Sequence, residues 1–158
     1  MDLITDEIKR FVNKVKLGFV ATVSPDGTPN LSPKGTTVAY DDEHLVFADI
    51  HSPGTINNLK HNPVIEINVV DIFTRKGYRF KGVAEVLSEG EKFQSILSYY
   101  GDIGSKYLIK NIVVIKVNVV SQIWSPAYDH TSNEEEITKH WIDYWRSIHN
   151  DTNSTKTP

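Results

Sequence analysis

Three β-type runs crowd into the first third of this chain with only turn-length segments between them, and that spacing restricts the fold more than any other feature. Residues 19–23 read as a strand, Ser24-Pro25-Asp26-Gly27 as a tight turn, and residues 30–40 as a second strand. Asp41-Asp42-Glu43 then turns the chain into a third run at 45–48. A doubly wound parallel sheet needs long helical crossovers between its strands. None precedes residue 53, so the three runs are expected to form an antiparallel meander.

The remainder extends this pattern. Thr5 is placed to cap a first helix whose apolar face is Ile8, Phe11, Val12 and Val15, ended by Gly18. A short helix at 53–60 is stopped by Asn62-Pro63. A strand at 64–70, a turn at Arg75-Lys76-Gly77 and a long strand at 78–87 follow. In that long strand Phe80, Gly82, Ala84 and Val86 alternate with Arg79, Lys81, Val83 and Glu85, the pattern of one buried and one wetter face. Ser88 and Glu91 have capping-box spacing before a helix carrying Phe93, Ile96, Leu97 and Tyr100, and Gly101 and Gly104 mark a loop. Residues 112–120 form the most apolar strand, expected to be central. The fold class is therefore mainly β with peripheral helices, as an antiparallel, closed or nearly closed barrel over residues 1–128. Residues 129–149 are expected to add a C-terminal helix, capped by Ser132 with Glu135 and striped by Ile137, Trp141, Trp145 and Ile148. That stripe suits packing on the barrel or on a partner subunit, and 150–158 read as a flexible tail.

Charge and composition remove several function classes. Seventeen basic against 20 acidic residues give a net charge of −3, which supplies no broad surface for nucleic acid. Cysteine is absent, which removes disulfides, thiolate metal sites and cysteine nucleophiles. Asp2, Asp6 and Glu7 charge the N-terminus, which lacks a signal-peptide core, and no run is long enough to span a bilayer. A cytoplasmic protein with no membrane partner is expected. His44, His51, His61, His130, His140 and His149 show no metal-ligand spacing, and no nucleophilic serine elbow or dinucleotide glycine fingerprint occurs.

One constellation carries chemistry. Ser52-Pro53-Gly54-Thr55 opens the short helix at 53–60. Backbone N–H groups at a helix start attract anions, Gly54 permits close backbone approach, and Ser52 and Thr55 add hydroxyls. Lys34, on the preceding strand pair, could supply the positive charge that a phosphate needs. The plain alternative is an ordinary helix capped by Ser52 beside an exposed lysine.

The segments Gly18-Phe19-Val20-Ala21-Thr22, Asp26-Gly27-Thr28-Pro29 and Ser32-Pro33-Lys34-Gly35-Thr36 occur in an order that resembles the flavin-binding split-barrel family related to pyridoxamine 5′-phosphate oxidase. Asn58-Leu59-Lys60-His61-Asn62-Pro63, the strand from 78 to 86 and Val119-Val120-Ser121 extend the likeness, which covers about residues 8 to 128. The resemblance implies a homodimer of split barrels with FMN bound in the dimer interface. It places Ser32, Pro33 and Lys34 beside the ribityl chain and phosphate, Ala48, Asp49 and Ile50 along the flavin ring, and Ser52 and Thr55 at the phosphate. Tyr78, Arg79 and Trp124 are the groups that could line a substrate pocket, no catalytic residue is assigned, and no metal is implied.

There are departures. Many relatives of that family place an Arg-Lys pair where this chain has Pro53-Gly54, which shifts the phosphate contact to Lys34 and backbone amides, with Arg79 or Lys81 of a dimer partner able to compensate. The arginine-rich C-terminal substrate pattern is missing, since Trp141-Ile142-Asp143-Tyr144-Trp145-Arg146 reads as helix, so the vitamin-pathway oxidase itself is not expected. An FMN-dependent oxidoreductase and a non-catalytic flavin-binding electron carrier, sensor or store both remain open. The same barrel could also carry haem or a deazaflavin in place of FMN.

Overall fold

A computed structural model describes residues 3–130 and 133–154. The chain runs α1 (Asp6–Val15), β1 (Gly18–Val23), β2 (Pro29–Lys34), β3 (Val38–Ala39), β4 (His44–Asp49), α2 (Pro53–His61), β5 (Val64–Asp71), β6 (Lys76–Leu87), α3 (Glu91–Asp102), β7 (Asn111–Trp124), a 3-10 turn (Pro126–Asp129) and α4 (Glu134–Ser154). The seven strands form one sheet in the order β2-β1-β5-β6-β7-β4-β3. The pairs β1–β2, β1–β5, β3–β4 and β4–β7 are antiparallel.

This order corrects the expected meander. The segment 30–40 is not one strand: it breaks at residues 35–37 into β2 and β3, which pair at opposite edges of the sheet. The Thr37 hydroxyl donates to Lys34 O at 2.9 Å and closes the turn. The Thr36 hydroxyl accepts from Ala48 N at 2.9 Å and donates to Ala48 O at 3.1 Å, tying the turn to β4. Tyr100 fixes it further by donating to Thr36 O at 2.6 Å, and burial pushes that phenol well above its ordinary pKa. Four residue steps from Lys34 to Val38 reach roughly 14 Å at most, whereas six flat interstrand spacings would cover roughly 29 Å. The two sheet edges are therefore drawn together, and the sheet curls into a split barrel with its seam between β2 and β3.

The chain divides into two compact units. The first comprises the chain up to Val69 together with Tyr78–Ser121. Its barrel core joins Val20, Phe47, Ile67, Phe80 and Ile115 to Ile8 and Val12 of α1 and Ile56 and Leu59 of α2. A second cluster packs Val46, Ala48, Ile112 and Val114 against Phe93, Ile96 and Tyr100 of α3. Both faces of β4 and of the first half of β7 are thus covered, which explains why Ile112-Val113-Val114-Ile115 is apolar throughout. The face Phe80, Gly82, Ala84 of β6 is buried as expected. Gly82 is required by close approach, since a Cβ there would lie 2.3 Å from Lys116 O.

The second unit comprises Val70–Gly77 and the chain from Gln122 on. Asp71 Oδ1 accepts from Phe73 N at 2.8 Å and Thr74 N at 3.3 Å, so the turn falls earlier than the expected 75–77. Tyr128 donates to Thr74 O at 2.6 Å, and Lys76 pairs with Glu134. The expected capping box of Ser88 and Glu91 does not frame α3. Gly90, at φ 94°, precedes α3 with no side-chain cap from Ser88, because glycine makes that entry without a penalty. Ser132 lies outside the described residues; Asn133 Oδ1 accepts from Glu135 N at 3.1 Å and Glu136 N at 3.3 Å. Helix α4 reaches Ser154, and of the expected tail 155–158 lie outside the described residues, as does Asp2. Among the described residues no helix is long and apolar enough to cross a membrane.

Candidate functional site

Lys34 is the last residue of β2 and the only one of that strand to be buried, at 7% exposure. Its Nζ donates to Ser32 Oγ at 2.6 Å and to Ser52 Oγ at 2.8 Å. Ser32 lies two residues back on the same strand face, and Ser52 lies in the link between β4 and α2. Burial lowers the Lys34 pKa from its ordinary value, with the Asp49 carboxylate acting in the opposite sense. Asp49 ends the most buried strand of the fold, where its Oδ1 accepts from Ser52 N at 2.7 Å and its Oδ2 from Asn111 Nδ2 at 2.8 Å.

This geometry leaves donors, not acceptors, for a ligand. Two of the three ammonium protons are directed at hydroxyl oxygens, and each of those hydroxyls keeps its own proton for another acceptor. The structure therefore contradicts the plain reading in both parts. Lys34 is buried, and Ser52 occupies the N-cap position of α2 without making a side-chain cap, because its oxygen is engaged by Lys34. The first bond of the α2 turn runs from Ile56 N to Ser52 O at 3.1 Å. Pro53 carries no N–H, and the Gly54 and Thr55 amides lie ahead of the helical ladder as a helix start dictates. A Cβ on Gly54 would meet nothing within 4 Å, so the backbone there faces open space. A cavity of about 470 Å³ adjoins Ser52, lined also by Asp49, His51, Pro53, Lys60 and Lys110. The Ser52 hydroxyl and two further lysines give this wall donors for an anion, beside an Asp49 carboxylate already engaged by Ser52 N and Asn111.

The other expected residues divide. Pro33 sits opposite Phe19 on the edge strand β2, where a missing N–H is tolerated. Ala48 is buried, Ile50 is half-buried after the strand, and Thr55 is buried in the first turn of α2. Tyr78 does not join this cluster: it packs edge-on to Phe11 with ring centroids 5.2 Å apart. Arg79 turns to Glu66 at 3.0 Å and Asn68 at 3.3 Å, and Lys81 pairs with the same Glu66 at 3.5 Å. Trp124 belongs to the second unit, where it lines a cavity with Arg75 and Trp141. Asn111 and Lys110 carry no motif of their own; the β4–β7 register, which sets Asp49 against Asn111, brings them to the site. Among the described residues no group of three His, Cys, Asp or Glu could hold a metal.

Comparison with known families decides the lineage: residues 4–122 match the family described as pyridoxamine 5′-phosphate oxidase. The chain belongs to that family. Among solved relatives of this oxidase-family chain, HupZ of Group A Streptococcus is 32% identical, with a TM-score of 0.70 over 77% of this chain and 95% of that one. An FMN-binding protein from Syntrophomonas wolfei shares the fold at 18% identity and TM-score 0.63, over 74% of this chain and 84% of its own. An F420 reductase does so at 21% and 0.57, over 72% and 94% respectively. No curated protein matches this oxidase-family chain.

Proposed function

We propose that this protein is an FMN-binding flavoprotein, acting as an FMN-dependent oxidoreductase related to pyridoxamine 5′-phosphate oxidase but not that oxidase itself. The observation that carries the reading is the buried Lys34 ammonium held between Ser32 and Ser52 at the start of α2. A buried cation held between two hydroxyls beside a helix start is matched by a phosphate dianion, and FMN carries one at the end of a flexible chain. Membership of the oxidase family and the shared fold with an FMN-binding protein support the same ligand.

In this reading Lys34, Ser32, Ser52 and the Gly54 and Thr55 amides hold the phosphate, with Lys60 and Lys110 adding field from the cavity wall. Ala48, Asp49 and Ile50 run along the ring, and Asn111 keeps the Asp49 carboxylate turned to the Ser52 amide. The flavin, when bound, supplies the electron transfer; the chain supplies binding, orientation and the electrostatic setting. A second copy of the chain completes the ring site, so the working form is a homodimer.

Gel filtration of protein loaded separately with FMN and FAD tests the ligand. FMN should elute with the protein at dimer mass and give a flavin spectrum, while FAD should be stripped. Equal retention of both flavins, or of neither, contradicts the reading.

A further inference from the structure

We propose a second ligand site in the unit formed by Val70–Gly77 and the C-terminal segment: a pocket for a small carboxylate with an aromatic or branched apolar body, anchored by Arg75. The site is a cavity of about 260 Å³ lined by Val70, Arg75, Ile123, Trp124, Ser125 and Trp141. It rests neither on the flavin nor on the Lys34 cluster.

Arg75 carries the argument. Its guanidinium lies over the Trp141 ring, 3.4 Å from the ring centroid, and its Nε is buried without a hydrogen-bond partner. Among the described residues no carboxylate pairs with it. The nearest candidate in sequence, Asp71, directs Oδ1 to the Phe73 and Thr74 amides, and Glu134 is engaged by Lys76. A buried donor left unpaired is costly, and proteins seldom leave a guanidinium so placed without an acceptor. Trp141 covers one face of the guanidinium, which leaves the N–H groups at its edge for an acceptor. Such an edge suits a carboxylate, whose two oxygens match two adjacent N–H groups.

The backbone holds the anchor in position. Arg75 has a φ of 56°, fixed by Arg75 N donating to Asp71 O at 2.8 Å and Ser125 N donating to Arg75 O at 2.9 Å. The Ser125 oxygen accepts from Ala127 N at 3.2 Å, which leaves its hydroxyl proton for a ligand. Val70, Ile123 and the two indoles supply apolar walls, so the lining recognises one charged end and one apolar body. A hydrated inorganic anion would satisfy the arginine and waste the walls.

The chain's three tryptophans, Trp124, Trp141 and Trp145, all lie in this unit, so indole emission reports on it alone. Benzoate is titrated into the full-length protein by calorimetry and by tryptophan emission, with benzamide and inorganic phosphate in parallel. Saturable benzoate binding is expected with about tenfold or weaker response to benzamide, since the charge-assisted pair is lost. Arg75→Met should weaken benzoate about tenfold or more, and Arg75→Lys should recover less than half of that loss in logarithmic terms because it lacks the planar fork. Circular dichroism of both variants shows whether the fold is retained, and Trp124→Leu in the Arg75 background provides a second lining variant should Arg75→Met misfold. Absence of saturable benzoate binding, equal binding of benzamide or phosphate, or an Arg75→Lys protein that binds like the parent overturns the proposal.

Discussion

Lys34 Nζ and Ser52 Oγ lie 2.8 Å apart across 18 residues of sequence, and this one bond joins the end of β2 to the start of α2. It also removes Ser52 from helix capping, so the first turn of α2 keeps its amides for something else. A cap of this kind is ordinarily worth ~1 kcal/mol. Sites that give up local stability in this way are commonly functional.

Ser52→Ala should therefore weaken both FMN binding and the fold. The variant loses a hydroxyl donor to the phosphate and one partner of Lys34, while Ser52 N still reaches Asp49 through the backbone. A loss of ~0.5–1.5 kcal/mol, several-fold in affinity, is expected from flavin titration, with a lower urea midpoint of the apo-protein because buried Lys34 loses one of its two acceptors.

Asp49→Asn should destabilise the apo-protein. The carboxylate accepts from Ser52 N at 2.7 Å and Asn111 Nδ2 at 2.8 Å, and an amide can turn an oxygen to only one of them. The other donor then faces an NH₂ group in a buried setting, at a cost of ~1–3 kcal/mol. Urea denaturation measures it, and Asn111→Asp in the same background should return part of the loss.

The glycines at close approaches give a graded test of the fold. A Cβ at Gly82 would meet the Lys116 backbone oxygen at 2.3 Å, whereas one at Gly18 would meet the Thr37 side-chain oxygen at 2.5 Å. Backbone cannot move aside as a side chain can, so Gly82→Ala should lose more stability than Gly18→Ala. Overpacking of this kind costs ~1–3 kcal/mol, read from denaturation midpoints.

Alkaline titration follows from the depressed Lys34 pKa. Burial makes the folded pKa lower than the unfolded one, so the unfolded chain binds more protons between the two. Apo-protein stability should rise with pH in the window just below the ordinary lysine value of 10.5, and Lys34→Met should abolish that rise. FMN affinity should fall over the same window as the ammonium discharges, with riboflavin in parallel to account for ionisation of the ring.

The antiparallel class was legible because turn spacing is local: Ser24-Pro25-Asp26-Gly27 and Asp41-Asp42-Glu43 leave no length for crossovers. The break at residues 35–37 was not, because Gly35 is the only local sign of it and the turn is fixed by Thr36 meeting Ala48 and Tyr100. Lys34 and Ser52 were legible as chemistry and Ser32 only through the family resemblance, but the burial of Lys34 was not legible, since a lysine on an edge strand reads as exposed. Asn111 and Arg75 escaped for the same reason. Their roles depend on partners 62 and 66 residues away, Asp49 and Trp141, which no local pattern encodes.

The central claim is that Lys34 holds a phosphate. Titrating FMN and riboflavin into the apo-forms of the parent and Lys34→Met proteins, by fluorescence quenching at fixed salt, tests it most directly. Methionine keeps the buried stem and removes only the charge. FMN binding should weaken by ~1.5–3 kcal/mol, about one to two decades, while riboflavin binding hardly changes. An equal loss for both flavins, or no loss for either, contradicts it.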